Sequence, residues 1–233
     1  MRALINAAER LMRYRRARGT LALIGFVLTR ICRLRAHVVY EARCCDPRVP
    51  SLWHESDQIL IFGPEDIDAR LSPELYAFLG DEAFESVQGV RDGDVLFVVK
   101  HGKTFVHCGY VLFEHKGTKL VGEQESTPII ACCKTAQAAQ GRGLYRKALN
   151  EEVLYLKERG YTRVIITTAP DNTASRRGIE AAGFNLIREV RVVIILNCIV
   201  WRRLREDRGT KSRLFLLRSE KHLLRSANAN ASG

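Results

Sequence analysis

From Pro128 to Phe184 the chain runs strand, glycine-bearing turn, helix, and then runs through the same series again. PIIACCKT is a short β-rich segment, Gln140-Gly141-Arg142-Gly143 is a turn, and Tyr145, Leu149, Val153 and Leu156 recur at helical spacing until Gly160. TRVIITTA, Thr162 to Ala169, repeats the strand; Pro170 and Asp171 end it, Asn172 or Thr173 can cap a helix over Ala174–Ala182, and Gly183 stops that helix. Two strands joined through a helix want to lie parallel, so this stretch demands a sheet with at least one parallel pair and helices packed on it.

Upstream the local signals are those of antiparallel strands. QILIF, Gln58 to Phe62, is a strand closed by Gly63 and Pro64. Ser72-Pro73-Glu74 predicts a helix over Pro73–Phe78, and Asp81 begins a second helical piece through Val87. DVLFVVK and KTFVHCGYVLFE flank His101-Gly102 and read as a hairpin. The apolar run VVIILNCIVW, Val192 to Trp201, reads as one buried strand; ten residues are too few to cross a bilayer.

Charge divides the chain into three. Of the net +11, Met1–Cys44 carries +8 and Trp201–Gly233 carries +6, which leaves −3 on Cys45–Val200. The expected organisation is a basic amphipathic segment over 1–44, a catalytic or binding domain over 45–200, and a basic tail over 201–233. Basic ends suit a polyanionic neighbour, either anionic lipid or nucleic acid. The start resembles a signal peptide, but its apolar run Leu21–Leu28 is eight residues long and is followed by Arg30, Arg33 and Arg35 instead of a cleavage site. Export and spanning are therefore not expected. Leu4, Ala8, Leu11 and Met12 share a helical face, which leaves two readings open: a helix lying on an anionic membrane, or one packed on the core with a solvated face. Few aromatics interleave with the arginines, which weighs against nucleic acid. Seven cysteines without a C-x-x-C predict a reducing, cytoplasmic setting with no structural metal.

Two glycines where a strand meets a helix free backbone N–H groups to face an anion at a helix N-terminus. The turn lacks the Gly-Lys-Ser/Thr ending of a P-loop and the longer Rossmann fingerprint. QGRGLY resembles instead the acyl-CoA pyrophosphate loop, Q/R-x-x-G-x-G/A, of the GNAT superfamily, the Gcn5-related N-acetyltransferases; Gln140 and Gly143 match, and Tyr145 stands at the last, small position. Asn172 to Phe184, NTASRRGIEAAGF, is similar to the family's second motif through Asn172, Ser175, Gly183 and Phe184. The likeness covers about Gln58 to Val200.

That resemblance implies an α/β (α+β) fold, a mixed central sheet flanked by helices, and an acetyl-CoA or other acyl-CoA co-substrate without a metal. It implies pantetheine contacts from the backbone of Cys133, Lys134 and Thr135, and pyrophosphate contacts from Gln140, Gly141, Arg142, Gly143, Leu144 and Tyr145. Asn172 would reach the cofactor arm near the thiol, with Ser175 beside it. Seven residues after the asparagine, where many members place a proton-donating tyrosine, this chain has Ile179. Tyr145 is then the alternative donor, or an aromatic filling the space of the missing glycine. Glu125 is the preferred general base among Glu114, Glu123, Glu125 and His107, because carboxylates entering that strand face the acceptor in relatives. Nucleophilic catalysis by Cys132 or Cys133 has no activating histidine in view. The acceptor implied is a small-molecule primary amine; a looser likeness to envelope-polysaccharide GNAT proteins suggests an amino sugar at the inner membrane face. The alternative is a GNAT-fold acyl-CoA-binding or regulatory protein without catalysis. Oligomeric state is left open.

Overall fold

The computed structural model describes residues 32–46, 51–63, 66, 72–87, 93–115, 117–196, 199–206 and 209–216. The amphipathic reading of Leu4–Met12 lies outside them, as does most of the expected tail.

Nine strands form one mixed sheet: β1 (Cys32–Arg43), β2 (Asp57–Phe62), β3 (Val95–His101), β4 (Thr104–Leu112), β5 (Ile129–Thr135), β6 (Arg163–Thr168), β7 (Asn185–Ile195), β8 (Ile199–Glu206) and β9 (Gly209–Leu216). Their order across the sheet is β2-β3-β4-β5-β6-β1-β7-β8-β9. Every pairing is antiparallel except β5 with β6. Among the described residues the helices are α1 (Pro73–Val87), α2 (Thr118–Val121), α3 (Leu144–Glu158) and α4 (Thr173–Ala181).

Helices α3 and α4 cover one face of the sheet: Leu149, Val153, Leu156 and Ile179 are buried with Val38, Tyr40, Phe97, Val111, Ile130 and Ile166. Full burial of each such side chain contributes about 1.5–3 kcal/mol. On the opposite face, Leu75 and Leu79 of α1 pack over Leu96, Val98, Cys108 and Tyr110, while Val121 of α2 packs over Val39, Ile165, Val192, Val200 and Leu204. The two expected helical pieces around residue 80 are joined in α1 with a break at Gly80 (φ 77°).

Both βα helices end through the glycines read as stops. Tyr161 N–H donates to Leu156 O and Gly160 N–H to Lys157 O, and the same paired pattern recurs from Phe184 to Ile179 and Gly183 to Glu180. Gly160 and Gly183 take φ 79° and 78°, the left-handed conformation that this ending needs.

Two sequence expectations change in three dimensions. Val192–Trp201 is not one strand: β7 ends at Ile195, Leu196 turns through φ 50°, and β8 returns antiparallel from Ile199. The sheet also extends past both charge-based boundaries. Strand β1 sits between β6 and β7, pairing Val38–Arg43 with Thr168–Arg163 and Cys32–Glu41 with Ile195–Asn185. Strands β8 and β9 extend the opposite end of the chain into the same sheet. Net charge reports a segment's electrostatic surroundings, not whether its backbone pairs.

Candidate acyl-CoA site

The parallel strands β5 and β6 pair only at Ile129 with Ile165 and Ile130 with Ile166. Beyond that they part, so the edge of β5 from Ala131 to Thr135 has no strand beside it among the described residues. On its other side β5 carries a bulge: Cys108 of β4 pairs with Lys134 and Tyr110 with Ala131, so Cys132 and Cys133 together oppose Gly109. Cys132 takes φ 52°, uncommon for a residue with a side chain. A bulge releases backbone groups from the ladder and re-aims them. Here it lies at the open side of the fork, where the sequence motif placed its backbone donors.

At the far end of β5, a 3-10 turn over Gln137–Ala139 leads to the glycine turn. Gly141 and Gly143 adopt φ 77° and 73°, and a Cβ on either would meet nothing within 4 Å. The glycines are thus required by backbone conformation while the space above them stays clear. Gly143 is the N-cap of α3 and makes no side-chain cap bond, leaving first-turn N–H groups to face a ligand. Gln140 reaches back, its Nε2 donating to Thr135 O at 3.4 Å. Arg142 is exposed and Leu144 is buried, anchoring the helix start in the core.

Helix α4 begins beside this turn. The Asn172 side chain caps it, accepting from Ser175 N–H at 3.0 Å. Ser175 and Tyr145 hydroxyls are 3.3 Å apart, and a Cβ at Gly178 would stand 2.5 Å from the Tyr145 ring. Tyr145 therefore lies flat against α4 across a surface that only glycine leaves open. Burial and the neighbouring Cys133 raise its phenol well above the usual tyrosine range. The fold thus brings together Cys133, Lys134, Thr135, Gln140–Tyr145, Asn172 and Ser175.

The proposed bases separate differently. Glu125 ion-pairs with Lys119 and precedes the paired end of β5, on the closed side of the fork. Glu123 ion-pairs with Arg163 and, at 2.9 Å, with Arg188, in a network that reaches Glu41 and Glu206. Glu114 is exposed at φ 48° just past β4. His107 is fully buried beside the bulge, with Nδ1 2.8 Å from the Thr135 hydroxyl, its ring 5.8 Å from that of Tyr145 and Nε2 without a partner among the described residues. Burial lowers its pKa to about 4, so the ring is neutral at pH 7.

One group escaped the sequence reading. Glu152 on α3 is fully buried, both carboxyl oxygens lack a hydrogen-bond partner among the described residues, and burial raises its pKa well above the usual carboxylate range. Its position, four residues before Leu156 and three after Leu149, falls inside the apolar stripe of α3. A carboxylate at that spacing was the available signal. Burial, with Glu152 next in weight, likewise pushes the Cys133 thiol well above the ordinary cysteine range, which disfavours the thiolate.

Lys134, expected to contribute backbone, also uses its side chain. Its ammonium donates to Phe78 O at 2.7 Å and lies 5.4 Å from the Phe78 ring centre, which ties α1 to β5. Ile179, at the position of the family's proton donor, is fully buried among core side chains.

The profile of the Acetyltransferase (GNAT) family matches residues 63–184, just over half of the chain. The chain belongs to this family. Among solved structures, an acetyltransferase from the GNAT family of Colwellia psychrerythraea aligns at 19% identity and TM-score 0.44, over 70% of this chain and 55% of that one. A GCN5-related N-acetyltransferase-like protein from Streptococcus suis aligns at 13% and 0.47, over 76% and 67%. AAC(6')-Iy, solved in complex with the bisubstrate analogue CoA-S-monomethyl-acetylneamine, aligns at 14% and 0.42, over 55% and 90%. The match to the Colwellia protein spans little more than half of that protein's length. No curated protein matches the chain. For this GNAT chain, both motifs behind the family resemblance, QGRGLY and NTASRRGIEAAGF, fall within the matched span.

Proposed function

We propose that this GNAT chain is an N-acyltransferase that moves an acetyl group from acetyl-CoA to a primary amine. The observation that carries the reading is the fork: β5 and β6 part after two residue pairs, next to a glycine-lined helix N-terminus with clear space above it. The residues fit the group. Gly141, Gly143 and the first turn of α3 suit the pyrophosphate, and the free edge of β5 at Cys133–Thr135 suits a pantetheine amide. Acetyl-CoA would supply an activated thioester whose carbonyl oxygen gains negative charge on attack. Backbone N–H groups on the edge of β5 turned toward the fork are held in place before reaction, so they would stabilise that charge without reorganising.

The protein's proton donors are limited in kind. Tyr145 carries a hydroxyl already hydrogen-bonded to Ser175 and is the group we assign to protonate the departing thiolate. Glu125, the preferred base from sequence, is engaged by Lys119, and we infer that the amine loses its proton through water at the mouth of the site. A second reading, acyl-CoA binding without catalysis, draws support from Ile179, which has no proton to give and is enclosed by core.

The acceptor we favour is a cationic amine, an amino sugar among them, entering beside α1. The setting we infer is cytoplasmic, with the basic ends toward an anionic inner membrane face. Thiol release from acetyl-CoA by the full chain, tried against amines and amino sugars, tests the activity. A thermal shift with CoA tests binding. Stabilisation and turnover, both lost in Gly143→Val, support the transferase; stabilisation without turnover on any amine supports the binding reading; no stabilisation by acetyl-CoA or CoA overturns both.

A further inference from the structure

The half of the sheet formed by β1, β7, β8 and β9 is covered on one face, and on the other, beyond Val38 of β1, no element among the described residues lies over its outer rows. Val192, Ile194, Val200 and Leu204 are buried beneath α2. Residues of opposite parity point to the face that carries α3 and α4. There the strand registers align Leu34, Val193, Trp201 and Leu214 in one cross-strand row, and Cys32, Ile195, Ile199 and Leu216 in the next. Leu34 is 76% exposed, Leu214 67% and Leu216 74%, and Trp201 is 38% exposed. The following row, Ala36, Arg191, Arg203 and Ser212, turns polar and basic. The apolar area is therefore bounded: four strands wide and two rows deep.

We propose that this face is the seat of the chain's own apolar run Leu21–Leu28, which lies against it. Position favours that occupant. Cys32 opens β1 within the outer row, and only Thr29, Arg30 and Ile31 separate it from the run. A short tether of this kind holds a segment near its seat at an effective concentration in the millimolar range. Size agrees as well. Four strands at about 4.8 Å spacing measure about 14 Å from first to last. Eight residues of helix are about 12 Å long. The area of two rows is roughly 250 Å², well short of the about 800 Å² per partner that a stable dimer needs. Charge agrees too: the run carries none, and the basic row begins where the apolar rows end. Seating the run would brace β1, whose Tyr40 hydroxyl donates to Glu180 and accepts from Arg176 on α4.

The test uses the full chain with Phe26 replaced by a benzophenone-bearing phenylalanine, irradiated and mapped by mass spectrometry. Cross-links within one chain to 32–36 or 193–216 are expected. Trp201, made the sole tryptophan by Trp53→Phe, gives an independent reading: acrylamide quenching should rise at least threefold in Leu23→Asp/Phe26→Asp and stay unchanged in Leu4→Asp/Leu11→Asp. Cross-links between two chains would make a second copy the occupant and overturn the proposal. Absence of cross-links, with Trp201 emission shifting to the blue only on adding phosphatidylglycerol vesicles, would assign the face to lipid and overturn it equally. Unchanged quenching together with cross-links elsewhere in the chain also rejects it.

Discussion

The carboxyl group of Glu152 fills the space that a side chain at Gly109 would take: a Cβ there would stand 2.4 Å from Oε1 and 3.2 Å from the Cys133 sulfur. A glycine in a strand interior weakens the strand, and a buried acid without partners weakens the core. The two departures meet at one point, opposite the bulge that re-aims β5. Gly109→Ala should therefore destabilise by about 1–3 kcal/mol through overpacking. In the Glu152→Ala background the same change should cost much less. A double-mutant cycle from urea unfolding checks the coupling, and simple additivity would show that the two groups do not compete for space.

Stability should depend on pH through Glu152. Its folded pKa lies above the ordinary 4.5, so the folded state holds a proton that the unfolded chain releases. Its contribution is fully present below 4.5 and is lost as pH rises toward the folded value. Glu152→Gln, which cannot ionise, should gain on the wild type between pH 5 and pH 8 when urea midpoints are compared. A constant difference across that range would contradict a neutral buried acid.

His107 should act in the opposite sense. Its pKa is lowered from 6.5 to about 4, so below pH 6.5 the unfolded chain takes up a proton that the folded state refuses. The contribution is present above 6.5 and disappears as pH falls to about 4. His107→Gln keeps a side-chain hydrogen-bonding group facing Thr135 and should flatten that part of the profile. Thermal unfolding of both proteins between pH 4.5 and pH 7 measures it.

Tyr145 can be tested for chemistry apart from packing. Tyr145→Phe keeps the ring against Gly178 and removes the hydroxyl's bonds to Ser175, at 3.3 Å, and to the Cys133 side chain, each of which should contribute about 0.5–1.5 kcal/mol of stability. If its hydroxyl protonates the thiolate, kcat should fall about 100-fold or more with KM for acetyl-CoA little changed. A fall of less than threefold would leave Tyr145 a packing residue.

Glu123 should prove structural. Removing a nearly buried carboxylate that bridges Arg163 and Arg188 leaves Arg163 to Glu41 and Arg188 to Glu206, so Glu123→Ala should cost about 1–3 kcal/mol. Calorimetry would show this as a lowered Tm. A change in turnover at unaltered Tm would instead return Glu123 to the list of bases.

Much of the site was legible because its signals are local. The glycine turn, the Asn172 cap and both helix stops depend on φ/ψ and on hydrogen bonds within a few residues, and sequence reports those directly. The hairpin of β3 and β4 was legible for the same reason. The pairing of Glu125 with Lys119 was not legible, because Lys119 lies on a short helix whose docking no spacing reveals.

By itself, then, the sequence determined the two strand-turn-helix units, the glycine turn at the start of α3 and the family. Tertiary structure alone decided that Cys32–Arg43 enters the sheet between β6 and β7, pairing with residues 120 or more positions away, and that Glu152 is stripped of water opposite a glycine. The physical reason is range. Backbone conformation and capping energies act between neighbours, whereas strand partners and desolvation depend on which surfaces meet after the chain has closed on itself.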